Sequence, residues 1–248
     1  MELGQPGQFR ARFARRAERT LAAAQAHLQA GAYGPALELV ADAEAGPLDE
    51  LQSARADLLR GEIVFASGLG SDASSLLLKA AKRLEPLNVD LARETYLTAW
   101  IAALFAARLA GSGDLPEVSR AARALPPAAE PRPVDLVLDG LALLVTDGPA
   151  AAAPTLRQAV SVFTGAGLVA EADAVCEATG SRSFPFTAMM LAALRGNQAE
   201  AAALIEATLA EAAPAGQGIA VAYAHWVAAI LANSLGRYTD ALAAAQCA

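Results

Sequence analysis

Apolar residues recur at helical spacing along most of the chain, between short stretches rich in glycine and proline. Leu51, Ala54 and Leu58, for example, fall close to one face of a helix. No segment suggests the alternation of apolar and polar residues that is typical of half-buried strands. The spacing predicts the first helices of hairpins near 9–30, 50–67, 88–110, 134–147, 184–195 and 216–235. It predicts the second helices near 35–45, 72–84, 115–125, 150–165, 198–212 and 239–248, and an extra helix near 167–179.

A short phrase recurs at the turns between these helices. Its complete form has a glycine, an aromatic residue two positions later and a small residue five positions later. We expect the glycine to end the first helix in a left-handed conformation and the small residue to let the second helix approach closely. The glycines are spaced by roughly 35 to 48 residues, which suits stacked helical hairpins. The repeat-signature residues are Gly31, Tyr33, Ala36, Gly68, Ala73, Gly113, Gly148, Gly196, Ala201, Gly236, Tyr238 and Ala241.

Prolines mark the two sharpest breaks in this pattern, at 125–133 and 180–185. Proline stops helices and restricts the residue that precedes it. Neither break is long enough to be a free linker. The sequence therefore predicts a single helical-repeat domain over residues 1–248, with about six hairpins and a flex point at 125–133.

Composition strengthens the helical prediction and limits the partners. Alanine makes up about a quarter of the 248 residues, and it loses no side-chain entropy in a helix. The net charge is −7, and an acidic surface repels phosphate backbones. We therefore expect no direct DNA binding by this chain. One basic cluster is interpreted as the solvated face of the first helix, with contact to nucleic acid or to an acidic neighbouring domain as the alternative. Its members are Arg10, Arg12, Arg15, Arg16 and Arg19.

The expected localisation is cytoplasmic. Residues 1–20 lack the apolar core of a secretory signal. The most apolar stretch, 219–232, is too short to span a bilayer and contains His225. The two cysteines, Cys176 and Cys247, form no disulfide framework. We therefore expect no membrane association and a reduced environment.

Candidate reactive groups form no recognisable catalytic, cofactor or metal motif. Residues 68–73 (GLGSDA) imitate a dinucleotide-binding turn, but they are in phase with the repeat phrase and are interpreted as its second turn. A phosphate loop of the form GxxxxGK[ST] does not occur. His27 and His225 are far apart, and Cys176 has no neighbouring base. We therefore predict that the chain is not an enzyme and holds no cofactor or metal.

The remaining charged and aromatic side chains are interpreted as structural residues. Glu94, Asp135 and Glu171 are scattered among the predicted helices, as residues on solvated faces are. Trp100 and Trp226 stand in apolar helical segments and are predicted in the core.

Two levels of resemblance to known proteins appear in the sequence. The phrase from Gly31 to Ala36 resembles the middle of a tetratricopeptide repeat, which implies an all-α fold, an α-solenoid of helical hairpins in a right-handed superhelix. Longer segments resemble the helical-repeat region of large ATP-dependent LuxR-family transcriptional regulators. The more specific phrases are LARETYL (91–97) and LDGLALL (138–144), and the resemblance extends over most of residues 15–248.

The resemblance implies a sensor region that regulates a switch domain. Such regulators have a nucleotide-binding domain before the repeats and a DNA-binding helix-turn-helix after them. Neither motif occurs in this sequence, so no ATPase or DNA-binding residue has a matching position, and we expect a fragment of a longer regulator. Its partners are then a protein or peptide, or the missing domains of the same polypeptide. We also expect possible self-association through the C-terminal edge, at 238–248.

A stand-alone tetratricopeptide adaptor is the alternative to a regulator fragment. Such an adaptor binds a protein or peptide in the concave groove of its solenoid. The sequence cannot separate the two, because both have the same repeat phrases.

Overall fold

Every described segment of the chain is built around α-helices. The computed structural model describes residues 6–67, 72–110, 114–128 and 130–162, and the single residues Ile205, Glu206, Leu209, Ala210, His225, Ala228 and Ala243. Its helices are α1 (Pro6–Gln29), α2 (Tyr33–Glu44), α3 (Glu50–Ala66), α4 (Ala73–Leu84), α5 (Val89–Ala110), α6 (Asp114–Ala124), α7 (Pro133–Thr146) and α8 (Pro149–Val162). No strand occurs in these ranges. The all-α class is therefore confirmed for the described residues.

The first eight predicted helices are confirmed, with ends that differ by only a few residues. The predicted helices at 167–179 and 184–195 lie outside the described residues. In the three last predicted helices only the seven single residues are described, and all seven are helical. The repeat-signature residues Gly196, Ala201, Gly236, Tyr238 and Ala241 lie outside the described residues, as does the edge at 238–248 apart from Ala243.

Glycine in the left-handed conformation ends two of the helices. Gly31 has φ of 73° between α1 and α2, and Gly148 has φ of 90° between α7 and α8. A side chain with a Cβ atom resists this conformation, so glycine is preferred there. After Gly31 the chain turns back through a bond from the Ala32 amide to the His27 carbonyl, at 2.9 Å. Gly68 and Gly113 lie outside the described residues.

Small or apolar residues of the repeat phrase are buried where the second helix meets the first. Ala36 and Ala73 are buried, and so is Val118 in the copy that begins at Gly113. In the copy that begins at Gly148, the buried residue is Ala152, four positions after the glycine. Tyr33 is half-buried at the start of α2.

The start of α3 shows how local sequence sets a boundary and a packing contact together. Asp49 Oδ1 accepts from the Gln52 amide at 2.8 Å, and Gln52 Oε1 accepts from the Asp49 amide at 3.2 Å. This reciprocal pair is a capping box, which satisfies backbone donors that the helix itself cannot pair. The Gln52 side chain also donates to the Ala14 carbonyl at 2.9 Å, and so ties α3 to α1.

Successive helices from α1 to α7 pack against one another in chain order. Each odd-numbered helix also contacts the next odd-numbered helix: α1 contacts α3, α3 contacts α5, and α5 contacts α7. The chain divides into two compact units, residues 1–153 and 154–248, and α1–α7 belong to the first. The single domain over 1–248 and the flex point at 125–133 stay predictions.

A close approach of two helices occurs inside the second hairpin, where α4 packs on Gly61 of α3. A Cβ atom built on Gly61 would lie 2.9 Å from Cγ and Cδ2 of Leu77 and 3.3 Å from its backbone nitrogen. Leu77 is fully buried, as are Ile63 and Leu84 beside it in the core. Gly61 therefore serves close packing rather than a turn.

Candidate functional site

A buried cluster of charges joins α5 to α7. Arg93 Nε donates to Asp135 Oδ1 at 2.7 Å, and Arg93 Nη2 donates to Asp139 Oδ1 at 2.6 Å. The Arg93 side chain is 2% exposed and the Asp135 side chain 1%. Arg93 Nη1 also points to the Pro126 carbonyl at 3.5 Å, in the connection before α7. A buried guanidinium is tolerated only with such partners, because desolvation of a lone charge is costly.

A second arginine closes the cluster from the start of α7. Arg132 Nη1 donates to Glu94 Oε1 at 2.7 Å, and Nη2 donates to the Asp90 carbonyl at 3.2 Å. Its Nε and its backbone amide both donate to Asp135 Oδ2, at 3.0 and 2.9 Å. Arg132 therefore forms the N-terminal cap of α7 and also binds α5 through Glu94. We call Asp90, Arg93, Glu94, Arg132, Asp135 and Asp139 the α5–α7 charge cluster.

Both oxygens of Asp135 are occupied by hydrogen-bond donors. Burial alone would raise the pKa of this carboxyl, but hydrogen bonds from Arg132 and Arg93 outweigh it and lower the pKa. For Glu94, burial dominates and raises the pKa, although Arg132 partly offsets it. Asp135 is thus held ionised and fully engaged, which suits a structural anion and does not suit a general base.

Burial of Glu94 and Asp135 shows that the prediction of solvated faces was wrong for both residues. Glu94 is 7% exposed and Asp135 1%. The physical reason is that each carboxylate meets an arginine from another helix, which offsets its desolvation. Their partners stand 38 and 42 positions away in sequence, for Glu94 with Arg132 and for Asp135 with Arg93. Glu171 lies outside the described residues.

The sequence contains a signal for this cluster in the spacing of its charges. On α5, Asp90, Arg93 and Glu94 have offsets of three and four positions, so they share one helix face. On α7, Asp135 and Asp139 share a face for the same reason, inside the otherwise apolar run 133–146. Charges of both signs on faces that also carry the apolar residues indicate an internal ion cluster between two helices.

A further polar pair extends from the cluster toward α3 and α1. Glu62 on α3 is half-buried, and its side chain forms a hydrogen bond with Gln25 on α1. Burial raises the pKa of Glu62 to about 7, the Gln25 hydrogen bond opposes this shift, and the negative charge of Glu94 adds to it. Gln25 and Glu62 therefore join α1 to α3 through a polar contact.

Among the described residues, the other candidates form no comparable cluster. His27 is exposed and His225 half-buried, while Cys176 and Cys247 lie outside the described residues. Among the residues that the structure describes, no group of three or more histidine, cysteine, aspartate or glutamate side chains could hold a metal ion. The segment before the GLGSDA turn is helical through Ala66, not a strand.

Trp100 confirms its predicted place in the core. It is buried, and its Nε1 donates to Ser119 Oγ on α6 at 3.1 Å. Trp226 lies outside the described residues. In the basic cluster Arg15, Arg16 and Arg19 are exposed, which both interpretations of the cluster require. The side chains of Arg10 and Arg12 lie outside the described residues.

No helix in the described ranges combines the length and the apolar composition needed to cross a membrane. Comparisons with protein-family models, with curated proteins and with solved structures find no match for this chain. Its function must therefore be inferred from its own residues.

Proposed function

We propose that this chain is a regulatory helical-repeat domain of a signal-responsive LuxR-family transcription regulator. In this role it binds a protein or small ligand, and the conformational change caused by binding is transmitted to other domains. The chain has no catalytic activity of its own in this proposal. The fold proposed for it is an α-solenoid of tetratricopeptide-like hairpins in a right-handed superhelix. The order of contacts supports this, because each odd-numbered helix from α1 to α7 contacts the next one, as first helices do in stacked hairpins.

One observation carries the proposal: the two segments whose resemblance to such regulators is most specific meet in space. LARETYL (91–97) supplies Arg93, and LDGLALL (138–144) supplies Asp139; the two side chains are hydrogen bonded at 2.6 Å. A resemblance caused only by alanine-rich composition would have no reason to select two segments that contact each other. The contact between these two segments therefore supports the view that this chain and such regulators have the same junction between the third and fourth hairpins.

The same junction favours a regulatory rather than an enzymatic role. Its buried carboxylate and guanidinium groups are paired with one another, so none of them is poised to take a proton from a substrate or to attack one. A paired internal cluster can instead exist in two arrangements, made and broken, and such a two-state element is what a regulatory domain needs.

A stand-alone adaptor is the second candidate. The contacts between successive odd-numbered helices from α1 to α7 support it equally. The coding sequence on either side of residues 1–248 separates the two. A regulator predicts a GxxxxGK[ST] phosphate loop upstream and a helix-turn-helix downstream in one reading frame. An adaptor predicts neither.

A reporter experiment tests the regulatory role directly. In the complete regulator, Asp139→Asn weakens the α5–α7 junction, and we expect basal expression of the target promoter to change several-fold. Glu117→Gln, which removes only an exposed pair with Lys82, is the matched control and should leave expression unchanged. Unchanged expression in both variants, at equal protein levels, would contradict the proposed function.

A further inference from the structure

The first hairpin separates its charges by sign. Residues 10–19 of α1 contain five arginines and one glutamate, whereas residues 20–54 contain five acidic residues and neither lysine nor arginine. The net charge of the whole chain is −7, so the segment 10–19 differs in sign from the rest of the chain. Two surfaces of opposite sign on one hairpin attract each other when two copies of the chain meet.

The basic surface lies on the solvent side of α1. Arg15, Arg16 and Arg19 are exposed and lie within about one turn of the helix, whereas Ala17 and Leu21 on the other side are buried. We call the three arginines the α1 basic face. Neither Arg16 nor Arg19 forms an ion pair with any residue that the structure describes. Like charges one turn apart repel each other, and an acidic surface against them removes this cost.

The acidic surface lies on α2. Glu38 and Asp42 are exposed and four positions apart, so both lie on one side of the helix. We call them the α2 acidic face. Glu44 on the same helix pairs with Arg60 of α3, but neither residue of the α2 acidic face has an ion-pair partner in the described part of the chain. Both carboxylates are therefore available to a basic surface of another molecule.

The two faces are similar in spacing. Arg16 and Arg19 are separated by about 4.5 Å along the axis of α1. Glu38 and Asp42 are separated by about 6 Å along α2, a difference that long arginine side chains cover. Two ion pairs can therefore form at once between α1 of one copy and α2 of another. Phe13, which is 43% exposed near the α1 basic face, adds apolar area to the same contact.

We propose that copies of this chain associate through the first hairpin, with the α1 basic face of one copy on the α2 acidic face of another. Repulsion between the net charges of two copies is screened beyond about 8 Å at physiological salt. The ion pairs across the contact are shorter than this distance and are screened less. This inference goes beyond the proposed function and holds equally for a regulator domain and for an adaptor.

Sedimentation velocity of the whole chain over a range of concentrations measures the association. The unmodified chain should associate reversibly. Arg16→Glu combined with Arg19→Glu should raise the dissociation constant by at least about tenfold, because attraction across the contact becomes repulsion. Glu38→Arg combined with Asp42→Arg should do the same for the opposite face.

A matched control makes an equal change of net charge elsewhere. Arg55→Glu combined with Arg120→Glu reverses two exposed arginines on α3 and α6, and it should leave the dissociation constant unchanged. A monomeric unmodified chain would overturn the proposal. Association that survives reversal of either face would also overturn it, since that association would then use another surface, such as the edge at 238–248.

A mixture of the two reversed variants identifies the surfaces that meet. In the mixture, the basic face kept by one variant meets the acidic face kept by the other, so the two should associate although each alone does not. Far-UV circular dichroism shows whether each variant keeps the helical content of the unmodified chain. If both are folded and the mixture stays monomeric, the proposal is overturned.

Neutral replacements cover the case in which a reversed variant fails to fold. Arg16→Gln combined with Arg19→Gln removes the two charges without reversing them, and it should still raise the dissociation constant several-fold. An unchanged dissociation constant in this variant would overturn the proposal.

Discussion

Arg93 of α5 donates from Nη2 to Oδ1 of Asp139 in α7 at 2.6 Å, across 46 positions of sequence. This bond brings together the segments LARETYL and LDGLALL. Around it, Arg132 and Asp135 complete a cluster in which each buried charge has an opposite partner. The third and fourth hairpins are therefore joined by ion pairs as well as by apolar packing.

Removal of the buried guanidinium should be strongly destabilising. Arg93→Met leaves Asp139 without its partner and takes one donor from the buried Asp135, so we expect a loss of about 3 kcal/mol in the free energy of unfolding. Urea denaturation measures it. Arg123→Met is the control, because the pair of Arg123 with Asp147 is exposed and 3.7 Å long. It should cost less than about 0.5 kcal/mol, and similar losses in both variants would count against the buried cluster.

Gly61→Ala should destabilise the chain, although alanine ordinarily favours helix over glycine by about 1 kcal/mol. The new methyl group would lie 2.9 Å from the Leu77 side chain and 3.3 Å from its backbone nitrogen, and such overpacking costs about 1–3 kcal/mol. Gly34→Ala on α2 is the control, because nothing lies within 4 Å of its added Cβ. Thermal unfolding should show a lower Tm for the first variant and an equal or higher Tm for the second. A higher Tm for Gly61→Ala than for Gly34→Ala would contradict the close contact of α4 with Gly61.

The capping box of α3 offers a local test. Asp49→Ala removes the acceptor of the Gln52 amide, and we expect a loss of about 1 kcal/mol in unfolding free energy by urea denaturation. Asp49→Ser keeps an acceptor at this position and should recover most of that loss. If serine is no better than alanine, the cap does not contribute.

Acid should weaken the α5–α7 junction through Asp135. The folded-state pKa of this carboxyl lies below the ordinary value of 3.8. Its contribution to stability is therefore present above about pH 4 and is lost as pH falls through the lowered folded value. Urea midpoints of the unmodified chain should fall between pH 4 and pH 2. Asp135→Asn should show a smaller fall over the same range, and an equal fall would rule out a role for Asp135.

Helix positions could be predicted from sequence because their causes are local. Apolar spacing, turn glycines and prolines set the bounds of α1–α8, and Gly31 and Gly148 adopt the left-handed conformation expected of them. The charge cluster could not be predicted from a local view, because Glu94 and Asp135 depend on arginines about 40 positions away. Nor does the sequence show that α4 packs on α3 at Gly61, because a glycine inside a helix does not indicate which other helix contacts it.

The most direct test of the account is a double-mutant cycle between Arg93 and Asp135. We compare the unfolding free energies of the unmodified chain, Arg93→Met, Asp135→Asn and the double variant. A buried ion pair that joins α5 to α7 predicts a coupling energy of about 1.5–3 kcal/mol. The exposed pair of Lys82 and Glu117, 3.3 Å apart, should give less than about 0.5 kcal/mol in the same cycle. Additive losses for Arg93 and Asp135 would contradict the claim that this charge cluster joins the two hairpins.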